Sequence, residues 1–233
     1  MQTQDDQTAR PGPARWVRVW DLPTRLFHWS LVLLVAISIY TGNVGGLREM
    51  DLHKLSGYAI MALVLFRLVW GFVGSPRSRF ADFVRGPRAV LTYARSLLGK
   101  AHQSFAGHNP MGGLSVVAML LSLLVQAVTG LFTRDDILTE GPLVRYVSKE
   151  TSRLLSGIHD LNATVLYVLI GLHLATVFGY LIVRKDNLIK PMLTGRKLAT
   201  AEIDGLDGAY ARSWVAAMIL AVAAGAVWLV VTR

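Results

Sequence analysis

Cysteine is absent from the 233 residues of the chain. That excludes disulfides, thiolate metal centres, iron–sulfur clusters and covalently attached c-type haem. Charge is scarce too. Asp, Glu, Lys and Arg make up 17% of the sequence, where ordinary soluble domains carry about 25%. Acids are the scarcer sign, 15 against 24 Lys and Arg, for a formal net charge of +9. With 53% hydrophobic residues, most of the chain is too apolar to remain disordered. The basic residues flank apolar runs instead of sharing one aqueous face, so their excess reads as a membrane-topology signal and not as a nucleic-acid surface. No internal repeat or low-complexity tract is evident.

What the sequence does contain is five apolar runs: Leu26–Val44, His53–Val73, Gly113–Phe132, His159–Val183 and Trp214–Val231. Each is close to the roughly 20 residues a helix needs to cross the hydrocarbon core. The expected fold is all-α and integral to the membrane, with a four-helix bundle and an extra C-terminal transmembrane helix. The polar stretch MQTQDDQTARPGPAR precedes the first run, which is long enough to span and is read as a retained helix, not a cleaved signal. The expected organisation is a disordered tail over 1–15, a membrane domain over 16–197, and a linker with the last helix over 198–233. Within the connection between the second and third runs, residues 80–99 alternate apolar and basic positions and predict a helix lying on the membrane surface.

The N-terminus and the loops after the second and fourth runs define side A. It carries Arg18, Arg25, Arg77, Arg79, Arg85, Arg88, Lys190 and Arg196 among others. Side B has fewer basic residues, diluted by Glu49, Asp51, Asp135, Asp136, Glu140 and Glu150. The asymmetry puts side A, with the N-terminus, in the cytoplasm and the C-terminus on side B. The six tryptophans mostly stand near run ends and read as an interfacial belt.

Four of the six histidines, His28, His53, His159 and His173, lie within or at the end of an apolar run. Ionisable groups there are costly and point to function, although a single one can simply bond a neighbouring helix. His159 and His173 are 14 residues apart on one run. At about 100° and 1.5 Å per residue they share a face, roughly 21 Å apart along the axis. Helix direction then sets depth. His28 lies near side A with His173, and His53 near side B with His159. Each pair joins two helices at one level. Imidazole suits iron, copper or zinc. Two histidines alone do not complete a metal site, but a porphyrin brings four nitrogens of its own. Two non-covalent bis-histidine haems b therefore fit a bundle without cysteine. A zinc transporter remains open, though it ordinarily adds carboxylates, and Asp160 is the only acid inside a run. Asp160 itself reads as a helix cap, with a proton-carrying role as the alternative.

Other residues suit the same sites. Gly57, four positions after His53, would let a flat macrocycle approach, or serve close helix packing. Arg67, 14 residues after His53, shares its face and the depth of the side A pair; it would meet a haem propionate or snorkel to the interface. Arg25 is a second propionate candidate, or an interfacial anchor. On side B Lys54 and Arg153 could serve the same purpose, but read first as loop charges. His108 precedes Asn109, a cap, and Pro110, a first-turn residue. It is read as structural, with contact to a quinone or haem edge as the alternative, and His102 as an exposed loop residue. Gln126 and Thr129 could bond another helix or backbone.

The segments VWDLPTRLFHWSL, DLHKLSGY, FRLVWGFVGSPRSRF, GHNPMGGLSV, IHDLNATVLYVLIGLHL and RKDNLIKPMLTGRK resemble the bacterial cytochrome b561 family, itself similar to the b-type cytochrome subunit of nickel–iron hydrogenases. The likeness spans approximately Arg15 to Lys197. It implies a four-helix bundle with two haems b, one held by His28 and His173 and the other by His53 and His159. It implies a multi-pass protein of the bacterial inner membrane, with a cytoplasmic N-terminus and a periplasmic C-terminus. Its work would be respiratory electron transfer between a quinone such as ubiquinone and a periplasmic cytochrome c or oxidoreductase subunit. Superoxide:ubiquinone oxidoreductase is the enzymatic alternative. A membrane anchor or metal-ion transporter is the alternative outside redox chemistry. The fifth run goes beyond the family's four-helix core, carries no ligand candidate, and suggests anchoring or partner docking.

Overall fold

A computed structural model of the chain describes residues 16–96, 105, 107–134, 139–198 and 210–233. The expected tail over 1–15, His102, Asp135, Asp136 and the linker over 199–209 lie outside the described residues. In chain order the elements are β1 (Trp16–Arg18), α1 (Leu22–Val44), α2 (Leu47–Val73), α3 (Phe80–Phe83), α4 (Pro87–Ser96), α5 (Pro110–Gly130), a single 3-10 turn (Val144–Tyr146), α6 (Lys149–Ile182), α7 (Ile189–Thr194), β2 (Arg196–Leu198) and α8 (Ser213–Val231). Five of these helices, α1, α2, α5, α6 and α8, are long and apolar enough to cross a membrane. Their outward faces are apolar and exposed, Leu33, Phe72, Val183 and Val222 among them, the arrangement lipid requires.

Every spanning helix except α8 starts several residues before its apolar run, and in α1, α5 and α6 a side-chain cap sets the start. Asp21 opens α1 by accepting from the Thr24 amide at 2.8 Å. Asn109 opens α5 in the same way, bonding Gly112 at 2.7 Å, with Pro110 in the first turn. Ser148 opens α6 through the Thr151 amide at 3.1 Å. Helix α6 therefore begins eleven positions before Asp160. The expectation that Asp160 caps it is corrected: Asp160 stands in mid-helix, because the polar stretch Lys149–Ser156 is itself helical. Lys54 and Arg153 likewise sit on α2 and α6, not in loops. The predicted surface helix is two pieces, α3 and α4, broken before Pro87.

Helix α1 turns directly into α2 through Gly45 and Gly46, whose φ angles of 70° and 99° favour glycine. Helix α2 is the central element, packed against α1, α5 and α8. Helix α6 lies along α5 and reaches the other two core helices through side chains. Asn43 of α1 donates to the Tyr167 hydroxyl at 3.0 Å. At mid-depth Leu166 packs with Ile60, Val64 and Leu123, joined by Leu31, Leu34 and Val35. Leu166 is seven residues from both His159 and His173, so this apolar layer separates the two histidine levels.

Side A is tied by a short antiparallel ladder, β1 on β2, with Val17 opposite Lys197. The Gly195 carbonyl extends it, accepting the amides of Val19 and Trp20 at 2.8 and 3.2 Å. Helix α8 covers α2 from outside. Its Ala216 joins the cluster of Phe27, Leu63, Phe66, Trp70 and Leu120, and Val227 the cluster of Met61, Ala62 and Leu131. Trp70 is fully buried, stacks on Phe66 and donates to Asp21, and Trp20 is buried too. The aromatic-belt reading is therefore corrected for these two, while Trp16, Trp29, Trp214 and Trp228 are exposed.

Candidate haem-binding site

The histidines meet in two pairs. His28 of α1 and His173 of α6 have ring centroids 6.4 Å apart, and His53 of α2 and His159 of α6 are 6.3 Å apart. Two imidazoles bound to opposite sides of one metal, through bonds of about 2.0 Å, have centroids roughly 6.2 Å apart, since each ring centre lies about 1.1 Å beyond its nitrogen. Both pairs thus have the spacing of two rings sharing a metal. Among the described residues no three His, Asp or Glu side chains converge on one metal position. The donor sets are pairs, and pairs suit a metal that arrives with its own equatorial nitrogens.

The side B rings have a defined tautomer. His53 Nδ1 lies 2.9 Å from the Ser38 carbonyl, and His159 Nδ1 lies 3.0 Å from the Gln126 carbonyl. A carbonyl only accepts, so Nδ1 carries the proton in both rings and Nε2 is left as the ligating nitrogen. Gly57 has open space where a side chain would be: a Cβ there would meet no protein atom within 4 Å.

On side A, Arg67 is only 3% exposed. Its guanidinium lies over Phe80 at 5.2 Å and Phe83 at 5.9 Å. Its Nη1 is buried and has no hydrogen-bond partner among the described residues. Snorkelling does not describe this arginine, which is enclosed beneath two aromatic rings. A buried cation with an orphaned donor invites an anion, and a haem carries carboxylates. These residues fit the group the histidine geometry suggests.

Comparison with known proteins gives the same direction. The family model for prokaryotic cytochrome b561 matches residues 19–195. The chain belongs to this family. It is a membrane b-type cytochrome, an electron-transfer protein of the haem b class. Two similar proteins are described as probable Ni/Fe-hydrogenase B-type cytochrome subunits. One, from Rhizobium leguminosarum bv. viciae, is 24% identical over 218 residues, covering 78% of this chain and 89% of the relative. The other, from Azotobacter chroococcum mcd 1, is 25% identical over 214 residues, covering 78% and 88%.

The cytochrome places its remaining candidates as follows. Arg25 donates to the Leu193 carbonyl and so engages the α7 segment, while its Nε is buried without a partner among the described residues. Lys54 pairs with Asp51 at 3.1 Å. His108 is buried between Trp20 and Phe83, with ring centroids 4.8 and 4.7 Å away. Burial first, then the nearby Arg67 charge and the side A histidines, hold its pKa down to about 3, so it is neutral at physiological pH.

Two positions that sequence reasoning passed over organise this end of the bundle. Asp21 accepts from Trp70 Nε1 and Ser78 Oγ, both at 3.2 Å, besides capping α1. Tyr180 accepts from Asn109 Nδ2 at 3.1 Å and meets the Tyr93 hydroxyl at 2.6 Å. Burial and this hydroxyl contact push the Tyr93 pKa up. The cap signature of Asp21 was readable three residues before Thr24; its tertiary bonds were not.

Proposed function

We propose that the protein carries electrons between the quinone pool on side A and a redox partner on side B through two haems b. His28 and His173 would ligate one iron, and His53 and His159 the other. The observation that carries this reading is the pair of histidine couples, each at the spacing of two rings on one metal, both anchored on α6 and separated by the layer around Leu166. Haem b supplies one-electron chemistry at iron. The chain's own contribution is to hold Nε2 of each imidazole as donor, to exclude water from the intervening layer, and to counter propionate charge with Arg67, and with Arg25 near His28. Gly57 leaves room for the macrocycle edge.

The excess of basic residues on side A supports a cytoplasmic N-terminus and a periplasmic C-terminus in the bacterial inner membrane. The hydrogenase-type relatives support an oxidoreductase subunit as the side B partner, with a periplasmic cytochrome c as the other candidate. Superoxide:ubiquinone oxidation would call for a cationic approach on side B. There Lys54 is neutralised by Asp51 and Arg134 by Glu140, at 3.1 and 3.0 Å, which favours the carrier reading.

The test is a haem count on the purified protein with reduced-minus-oxidised spectra. The expected result is two low-spin haems b per chain, falling to one in His173→Ala and to one, with the other spectrum retained, in His159→Ala. Retention of both haems in both variants would overturn the pairing.

A further inference from the structure

The two side B histidines are met by the same device on two different helices. On α1, His53 Nδ1 donates to the Ser38 carbonyl. Three residues on, Thr41 Oγ1 donates to the Ile37 carbonyl at 2.8 Å and to that same Ser38 carbonyl at 3.3 Å. One residue further, a Cβ on Gly42 would stand 3.0 Å from His53 Cε1 and 3.1 Å from Nδ1. On α5, His159 Nδ1 donates to the Gln126 carbonyl. Thr129 Oγ1, three residues on, donates to Val125 at 2.7 Å and to that same Gln126 carbonyl at 3.2 Å, and lies 3.2 Å from Nδ1 itself. A Cβ on Gly130 would stand 3.0 Å from His159 Cε1 and 3.4 Å from Nδ1. The segments read SIYTG and QAVTG. A carbonyl, a hydroxyl three positions later and a missing side chain next to it recur in the same order.

We propose that Thr41–Gly42 and Thr129–Gly130 are matched positioning residues that clasp the two side B imidazoles from opposite walls of the bundle and fix their ring planes. The proposal rests on the reading of His53 and His159 as an axial pair. A glycine in a membrane helix often serves helix–helix approach. At both of these positions, however, the three nearest heavy atoms to the absent Cβ all belong to the histidine ring. The space is shaped to an imidazole and not to a neighbouring backbone. The threonine hydroxyl bonds back to the preceding turn, which tilts carbonyls outward, toward the ring that uses one of them.

Both α1 and α5 also end near this level, so the negative ends of their dipoles face the protonated Nδ1 atoms. A hydrogen-bonded Nδ1 makes an imidazole a more basic ligand and favours the more positive, oxidised iron. Side A differs: His28 Nδ1 is buried and has no hydrogen-bond partner among the described residues. The clasp would therefore lower the potential of the haem it holds.

The experiment uses the full-length protein in membranes or detergent. Redox titration and low-temperature EPR are applied to Gly42→Ala, Gly130→Ala, Thr41→Val and Thr129→Val, with Gly225→Ala on α8 as control. Each glycine variant is expected to change the EPR signal and potential of one haem, the same haem in both cases. The double glycine variant is expected to lose that haem. The threonine variants, nearly isosteric, are expected to keep both haems and raise the potential of the side B one, with Thr41→Ser restoring it. Unchanged signals in both glycine variants, or equal shifts of both haems, would overturn the proposal. If His53→Ala and His159→Ala each remove the same haem while the glycine and threonine variants alter nothing, the ligand assignment stands and the clasp alone fails. If the histidine variants keep both haems, the ligand assignment fails first.

Discussion

Arg67 is the residue whose situation says most about its surroundings. A guanidinium at this depth is expensive unless it is paired, and its only described neighbours of use are the faces of Phe80 and Phe83 and the more distant charge of Asp21. Replacing it with alanine is expected to weaken retention of the side A haem or shift that haem's potential, leaving the side B titration unchanged. An unaltered titration would show that the side chain serves only to fill space under the two rings. The 14-residue interval from His53 revealed the depth of Arg67 from the sequence alone, because helical rise is fixed. Its lid of aromatic rings was hidden, since it depends on how the chain folds back over α2 after Gly74 to form α3. The same holds for His108, whose neutrality comes from Trp20, Phe83 and Arg67 and not from its own sequence neighbours.

At the level of elements, the α5–α6 contact is pinned by polar groups. Asn162 Nδ2 donates to the Ser122 carbonyl at 2.9 Å and to Gln126 Oε1 at 2.7 Å, while Ser122 Oγ donates to Asn162 Oδ1 at 2.8 Å. Gln126 is also the residue whose carbonyl holds His159, so this strap sets the register of the ligand-bearing helix. Replacing Asn162 with leucine is expected to cost about 1 kcal/mol, the scale of interhelical hydrogen bonds in membranes. It is also expected to broaden the side B haem signal, a change visible in thermal melts and EPR together. Helix number and direction were legible in the five apolar runs. Of the helix starts only that of α5 was read, from Asn109 and Pro110; Asp21 and Ser148 act through a single side-chain oxygen that hydropathy ignores. The β1–β2 ladder was invisible for a related reason: two three-residue segments separated by nearly the whole chain carry no periodic signal.

For the molecule as a whole, the two histidine levels and the mid-depth layer belong to α1, α2, α5 and α6, while α8 is an outer addition. Of the residues it buries, Ala216 and Val227 pack on the side of α2 served by Phe66, Trp70, Met61 and Ala62. Ending the chain at Arg212 is expected to leave the haem count and both spectra intact while lowering the melting temperature, since α2 would lose packing over its outer face. Loss of a haem in that truncation would give the last helix a part in cofactor retention. The sequence showed the absence of a ligand candidate in this helix, but not which face of the bundle it would cover.

The layer around Leu166 has an electrical consequence. The two histidine levels stand about 21 Å apart in a hydrocarbon core of about 30 Å. A unit charge transferred from one to the other thus traverses roughly 0.7 of the transmembrane voltage, worth about 1.6 kcal/mol per 100 mV. If electrons pass inward, as negative charge they would run against an interior-negative field and add to it, so turnover in sealed vesicles is expected to slow as that voltage builds and to quicken when an ionophore collapses it.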